Sequence, residues 1–570
     1  MTPTETEDSA TTGSPPTSEL PRATDAARDD ALAPGVPATD DAPRSDDAPR
    51  SDVAPARDAA RPDADTPSTD APDTDTPSTD APRSDTAPAR DAARPDADTP
   101  DAPGTDAAGA PTPTWLRPDR RVLIALAVLA LASRLVWVLW LHPPGAYVFS
   151  DMGQYVHRAS RLVHEGFGFG DRTLAWQSFG THYLLGLFFA IFGDKPPYIA
   201  AAVLYALMGA AAVPLGYLVA CRTVARAWMA IAVGVILLLW YPNLSTTGYF
   251  LSETPFLFFQ LLATYWLCRV FQEGKPALAA GIAGGVCFML RPQSAIFFVL
   301  VLVTWLVHAR RLPWVRARQI ALVAAPLLLS LVFSLWRFAM HTGYWGGVAE
   351  TANMNLTAGR CHNIVTQAFP DEEALRKSVR NRNTRDGRRV SVPGLRSLGQ
   401  LPPNHLLALD PAMEHESIRF VGYIGDPFIH RKLRRRCIER TGLWGQLRYT
   451  LGNISLQWFF AHQWPDQEPS ARWTLRVSDL YRWIFQTFVL APSLLGMALS
   501  IARIRTAPTL TLIGWQIFGS IVIAGIFFGD IRLRTPYDPY AFILALVALA
   551  WLAGLGRRIV GWTRGRARRS

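Results

Sequence analysis

Aromatic residues are missing from the first 114 positions, and lysine is missing from the same stretch. Residues 1–113 are built from Ala, Pro, Asp, Thr and Ser, and hold 25 acidic residues against 9 arginines. The net charge of this segment is −16, which leaves +26 on the remainder of a chain whose total is +10. So little apolar surface cannot offset the entropy of ordering a backbone, which excludes a packed core and predicts a disordered acidic tail. The sequence APARDAARPDADTP occurs at 54–67 and again at 87–100. The apolar positions that stacked repeats need are absent, so this is low-complexity duplication rather than a repeat array.

Other shortages narrow the class further. The acidic, polar N-terminus offers no secretory signal peptide, so the first apolar helix is expected to direct insertion itself. Five cysteines in 570 residues are too few for a disulfide scaffold. Cys361 and Cys437 fall in a polar segment and form a candidate disulfide, whereas Cys221, Cys268 and Cys287 lie in or beside apolar runs. His157, His164 and His182 cluster in one loop without an HxxxH or HxxE spacing, so they read as surface histidines rather than metal ligands. No nucleic-acid partner is expected.

What is present, from Val122 onward, is a series of long apolar runs, each able to cross a hydrocarbon core about 30 Å thick. Ten spans are expected, at 122–141, 197–220, 227–244, 254–271, 277–290, 294–308, 319–340, 482–502, 508–528 and 539–556. The apolar stretch 178–192 is short for a crossing. If it does not cross, the connections on the side of Arg120 carry Arg222, Arg226, Lys275, Arg310, Arg311, Arg316, Arg318, Arg503, Arg505 and six arginines of the 557–570 tail. The short connections on the opposite side then carry only Arg291, Arg532 and Arg534. The positive-inside rule therefore places both termini in the cytoplasm and 178–192 along the outer interface or re-entrant. This gives an all-α polytopic membrane protein with outer juxtamembrane helices. Its parts are a tail (1–113), a transmembrane module (114–340) with a first outer loop (142–196), an outer soluble domain (341–481), C-terminal helices (482–556) and a basic cytoplasmic tail (557–570).

Five charged groups share the outer side in this topology. Asp151 lies in "FSDMGQYVHRA", Glu253 in "YFLSETPFLFF", Arg291 in "FMLRPQSAIFF", and Arg532 and Arg534 in "GDIRLRTPYDP". Taken singly, Asp151 reads as a helix cap, Glu253 as a helix–helix ion pair, and the arginines as interface anchors. Together, ionised groups at membrane depth should line a polar cavity or meet a charged ligand, and this set suits an anionic phosphate plus a proton acceptor.

The order and side of these motifs resemble the GT-C class of integral-membrane glycosyltransferases, in the branch of protein O-mannosyltransferases and the lipid A aminoarabinose transferase. The shared features are the loop aspartate with its following Tyr, the juxtamembrane apolar segment, "SE" opening the fourth span, "LRP" after a Gly-rich fifth span, and the late Arg-rich turn. The resemblance covers roughly 120–340 and 482–556. One departure is that protein mannosyltransferases carry a paired Asp-Glu on the first loop, whereas Ser150 and Met152 flank Asp151 here. Glu253 is the candidate second carboxylate or acceptor-binding group. The segment "NMNLTAGRCHN", 353–363, matches no acceptor-binding module.

The resemblance implies an inverting transfer of a sugar from a polyprenyl-phosphate donor to a lipid, glycan or protein acceptor at the outer face, in a bacterial inner membrane. Asp151 would be the base, and Arg532, Arg534 and Arg291 would bind the donor phosphate. A divalent cation bridging a carboxylate and the phosphate is compatible with this chemistry, although the sequence holds no dedicated ligand set for one. The competing reading is a transporter or flippase for a lipid-linked or anionic substrate. Against it stand the lack of an internal repeat and the placement of the charges at span ends.

Overall fold

The structure, a computed structural model, describes residues 115–146, 148–309, 317–361, 365–369, 371, 373, 417–421, 423, 425–459, 472–529 and 532–567. The expectations for the acidic tail 1–113 and for much of 341–481 lie outside the described residues. Ten helices form the first part: α1 (Arg120–Val136), α2 (Ser150–Glu165), α3 (Gly180–Phe192), α4 (Ile199–Thr223), α5 (Ala227–Leu239), α6 (Tyr241–Ser245), α7 (Glu253–Glu273), α8 (Ala277–Leu290), α9 (Ala295–His308) and α10 (Ala317–Thr342). Then come α11 (Thr351–Arg360), strands β1 (Val365–Phe369) and β2 (Ser417–Val421), α12 (Pro427–Trp458), α13 (Arg472–Ile484), α14 (Leu490–Ala502), α15 (Pro508–Ile526) and α16 (Asp538–Ala567). Among the described residues the regular structure is helical apart from the parallel pair β1–β2, in which Val365 lies opposite Ser417.

Among the described residues, seven helical segments are long and apolar enough to cross a membrane: Arg120–Ala146, Ile199–Thr223, Glu253–Glu273, Ala317–Thr342, Arg476–Ala502, Pro508–Ile526 and Thr535–Arg557. The bent pair Ala227–Leu239 and Tyr241–Gly248, with a 52° break, makes an eighth. The expected spans 277–290 and 294–308 coincide with the 14-residue helices α8 and α9. At 1.5 Å per residue each extends about 21 Å, short of a full crossing. Arg291 lies in the turn between them, and because they come as a pair the parity of everything after them is unchanged. Gly281 and Gly285 let α10 close on α8, since a Cβ would lie 2.6 Å from Leu322 O and 2.7 Å from Ser330 Oγ respectively.

The break after α5 leaves backbone carbonyls without helical partners in an apolar setting. Arg134, fully buried on α1, donates to Leu237 O and Leu238 O, both at 3.2 Å, and Tyr481 Oη donates to Leu239 O at 2.8 Å. The bend is thus capped by side chains from other helices, with a cation at the negative end of the α5 dipole.

Contacts sort the connections between helices into two ends. At one end Leu116 N donates to Cys221 O (3.0 Å), Gln272 Nε2 to Arg222 O (2.8 Å) and Thr509 Oγ1 to Arg222 O (3.4 Å). At the other end lie Asp151, Glu253, Arg291 and Arg532. Helix α3 keeps to this second end. Gly180 at its start packs against Leu290, and Phe189 near its finish stacks on Tyr198, which meets Phe250. With both its termini at one end of the bundle, α3 does not cross.

The segment 341–481 is not wholly a separate body. Helix α12 kinks at Gly442, where φ is +60°, and its second half runs alongside α15. Gln457 Nε2 donates to Ser520 Oγ at 2.6 Å, two turns inside the end of α15. The polar residues that dilute this stretch in sequence, Gln446, Asn453 and Gln457, are buried against the bundle, while Leu443, Trp444 and Leu447 are exposed.

Candidate functional site

Asp151 stands in the first turn of α2, where the helix dipole favours a negative charge. The preceding Ser150 has φ +48°, a left-handed conformation that a β-carbon disfavours and that is held here at the mouth of the candidate site. Arg532 Nη2 lies 2.5 Å from Asp151 Oδ2, and Arg532 Nε lies 3.6 Å from Glu253 Oε1. Glu253, 3% exposed at the start of α7, also takes Arg291 Nη2 at 2.5 Å. Arg291 Nε donates to Ser252 Oγ at 3.0 Å. Four of the five charged groups expected at this face therefore form one continuous network, Asp151–Arg532–Glu253–Arg291, whose formal charges sum to zero.

Arg534 is placed elsewhere. Its Nε donates to Asp538 Oδ1 at 2.9 Å, its guanidinium lies 3.5 Å from the Phe485 ring centre, and it is 2% exposed. Trp240 Nε1 fills the second oxygen of Asp538 at 2.7 Å. This pair pins the start of α16 to α5 and α13 rather than opening toward the site. The i,i+4 spacing of Arg534 and Asp538 was a signal in the sequence for this partnership.

Residues that carry no charge pattern complete the surroundings. Gln177 Nε2 reaches Asp151 Oδ1 at 3.4 Å, and Arg158 Nη1 holds Gln177 Oε1 at 2.8 Å while Arg158 Nε donates to Thr173 O at 2.9 Å. Tyr155, one helical turn beyond Asp151 and buried, has its phenol pushed up to about 12, by burial first and then by the nearby Asp151 and Glu253 carboxylates. A roof is provided by Arg172, which pairs with Glu350 at 2.9 Å and lies 4.5 Å from the Tyr423 ring centre. Burial raises the Glu350 carboxyl despite that partner. Backbone bonds from Glu350 N to Ala175 O (3.0 Å) and Thr351 N to Trp176 O (2.9 Å) fasten this roof to the first loop.

The three loop histidines are separated. His157 is exposed, His164 Nε2 meets Asp194 Oδ2 at 2.9 Å, and His182 is buried beside Arg337, where burial and that cation push its imidazole well below its usual value. Among the described residues no three His, Cys, Asp or Glu side chains come together to hold a metal ion. Both site carboxylates face guanidiniums, a donor set matched to arginine and phosphate rather than to a dedicated metal centre. Cys361 and Cys437 are joined as a disulfide between α11 and α12, and Cys221, Cys268 and Cys287 are free and buried. Near the finish of α3 a cleft of about 410 Å³ is lined by Phe188, Phe189, Phe192, Lys195 and Tyr198.

No family model and no curated protein matches the chain. Among solved structures it is similar to the crystal structure of ArnT from Cupriavidus metallidurans bound to undecaprenyl phosphate, at 14% sequence identity and a TM-score of 0.31, with 74% of this chain and 76% of that chain covered.

Proposed function

We propose that this protein is a membrane glycosyltransferase that moves a sugar from a polyprenyl-phosphate donor to an acceptor at the outer membrane face. The observation that carries the reading is Arg532 lying between Asp151 and Glu253. A cation from the last inter-span turn meets carboxylates from two other elements at a bundle end, in the order of motifs that resembles GT-C enzymes. Charges sited at one bundle end, rather than halfway along broken helices, favour an enzyme over a transporter.

In this reading Arg532 and Arg291 hold the donor phosphate, for which a planar guanidinium fork is well shaped. The Asp151 carboxylate pairs with Arg532. The phosphate competes for that guanidinium and, on binding, releases Asp151 to act as base. The acceptor oxygen or nitrogen then attacks the anomeric carbon from the face opposite the phosphate. The carbon–oxygen bond to phosphate breaks with its electron pair staying on the phosphate, Asp151 takes the acceptor's proton, and the configuration inverts. Arg532 and Arg291 offset the charge that develops on the leaving group. Glu253 orients both arginines, and Arg534 anchors the turn.

The test is a strain lacking the gene, in which lipid-linked sugars and glycoconjugates are profiled by mass spectrometry. A donor should accumulate and a glycosylated product disappear. Wild-type protein should restore the product, while Asp151→Asn, inserted at equal level, should lower transfer by about 10²–10⁴ as expected for loss of a general base. Full restoration by Asp151→Asn would end the assigned role of Asp151.

A further inference from the structure

The motif "NMNLTAGRCHN" has no place in the reaction described above, yet its Gly359–Arg360–Cys361 run sits against the turn that carries Arg532. Gly359 lies so close to the backbone at the end of α15 that a Cβ on it would fall 1.0 Å from Phe527 O. A Cβ on Gly529 would similarly fall 1.7 Å from Asn453 O of α12, and Asn453 Nδ2 donates to Gly359 O at 3.1 Å. Three backbones, those of α11, α12 and the chain leaving α15, therefore meet at positions where only hydrogen can be accommodated as a side chain.

Arg360 completes this junction. Helix α15 ends at Ile526, and Phe527, with φ −91° and ψ −91°, leaves the helical path, so the last carbonyls need outside donors. Arg360 Nη2 donates to Gly525 O and, at 2.9 Å, to Ile526 O, while Nη1 reaches Thr450 Oγ1 at 3.1 Å. Among the described residues no carboxylate pairs with Arg360, so its charge is directed at the negative end of the α15 dipole. The neighbouring Cys361 is bonded to Cys437, and Gln446 Nε2 donates to Arg360 O at 3.0 Å, which fixes Arg360 to α12 as well. Six residues beyond Ile526 comes Arg532, and beyond Arg532 the turn is fastened again by Arg534 on Asp538. The site arginine thus lies on a turn clamped on both sides.

We propose that Arg360 is a positioning residue. By capping α15 it sets how residues 527–529 leave that helix, and hence where the Arg532 guanidinium meets Asp151, Glu253 and an incoming phosphate. The inference rests on the phosphate-binding role given above to Arg532, and the experiment separates the two.

Full-length protein is reconstituted in nanodiscs, and the affinity for undecaprenyl phosphate is measured on folded material, with thermal unfolding recorded in parallel. Arg532→Gln is the reference. Arg360→Gln should weaken binding by about tenfold, less than the ~10²-fold that a full ångström of misplacement can cost a reacting group. Arg360→Lys, which keeps a cation at the α15 terminus, should recover most of the loss. A variant that merely loosens the fold would lower the unfolding temperature without this lysine rescue of affinity. Thr450→Ala removes only the 3.1 Å contact to Nη1, and should give a smaller weakening in the same direction even if Arg360→Gln fails to fold. Wild-type affinity in folded Arg360→Gln, or in Thr450→Ala when the former does not fold, would overturn the positioning role while leaving Arg532 intact. Wild-type affinity in Arg532→Gln would instead overturn the phosphate-binding role itself, and with it the inference built on it.

Discussion

Arg532 Nη2 lies 2.5 Å from Asp151 Oδ2 across 381 residues of sequence. A base that is already held by a guanidinium is a poor proton acceptor, and an arginine already holding a carboxylate is a poor phosphate ligand. Each group becomes available when something takes the place of its partner.

This competition gives a prediction of unusual sign. Under the function proposed above, Asp151→Asn should lower transfer by about 10²–10⁴ and yet tighten undecaprenyl phosphate binding, by about tenfold or ~1.4 kcal/mol, because the phosphate no longer displaces a carboxylate from Arg532. Calorimetry or microscale thermophoresis on reconstituted protein measures it. Unchanged or weaker binding would mean that Asp151 and the phosphate do not share Arg532.

Arg532 and Arg534 are two residues apart, and their environments predict opposite phenotypes. Arg534 and Asp538 are both almost fully enclosed, so Arg534→Met leaves a buried carboxylate uncompensated and should cost about 3–5 kcal/mol of stability. Arg532 is about one-fifth exposed and its removal leaves the buried Glu253 still paired with Arg291, so Arg532→Met should cost less, about 1–2 kcal/mol. Parallel denaturant or thermal unfolding in one detergent checks the contrast, and equal losses would contradict it.

The network of charges was legible in the sequence, because the physics leaves few options. Asp151, Glu253, Arg291 and Arg532 are ionised groups at the ends of apolar runs on one side, and such groups must find one another or a ligand. The fate of Arg534 depended on which neighbour would enclose it, and only the i,i+4 Asp538 hinted at the answer. Gln177 and Arg360 left no trace, since a neutral amide and one arginine among many carry no period or spacing. The shortness of α8 and α9 was already present in the expected spans 277–290 and 294–308, which match those helices to within a residue. The descent of α12 along α15 was hidden by the buried amides that make that contact.

Gly359 offers a test of the junction at α15 that does not depend on chemistry. Gly359→Ala places a methyl group within the Phe527 carbonyl, and backbone must move to admit it. The cost should be at least the ~1–3 kcal/mol typical of overpacking, whereas Gly153→Ala, at an open position in α2, should be close to neutral. Thermal unfolding of the two variants in the same detergent distinguishes them.

Tyr155 supplies a pH dependence. Its folded value, about 12, stands above the ordinary 10.0, so the folded state favours the protonated phenol. The stability this contributes is complete below pH 10 and is lost as pH rises through 10 toward 12. Wild-type protein should therefore lose stability more steeply across that window than Tyr155→Phe, which cannot ionise. Phenolate absorbance should also show one fewer late-titrating tyrosine in the variant.

The proposed membrane orientation joins contacts to charge. Trp115, Arg222, Glu273 and Thr509 gather at one bundle end, and Asp151 with the Cys361–Cys437 bond lies toward the other. Disulfides persist in oxidising compartments, which is the side the positive-inside rule gives to 341–481 by a separate route. A reporter fused after Arg222 should accordingly read cytoplasmic, and one inserted at Gly343 should read periplasmic. The opposite pair of signals would put Asp151 on the cytoplasmic face, where an acceptor exported across the membrane could not reach it.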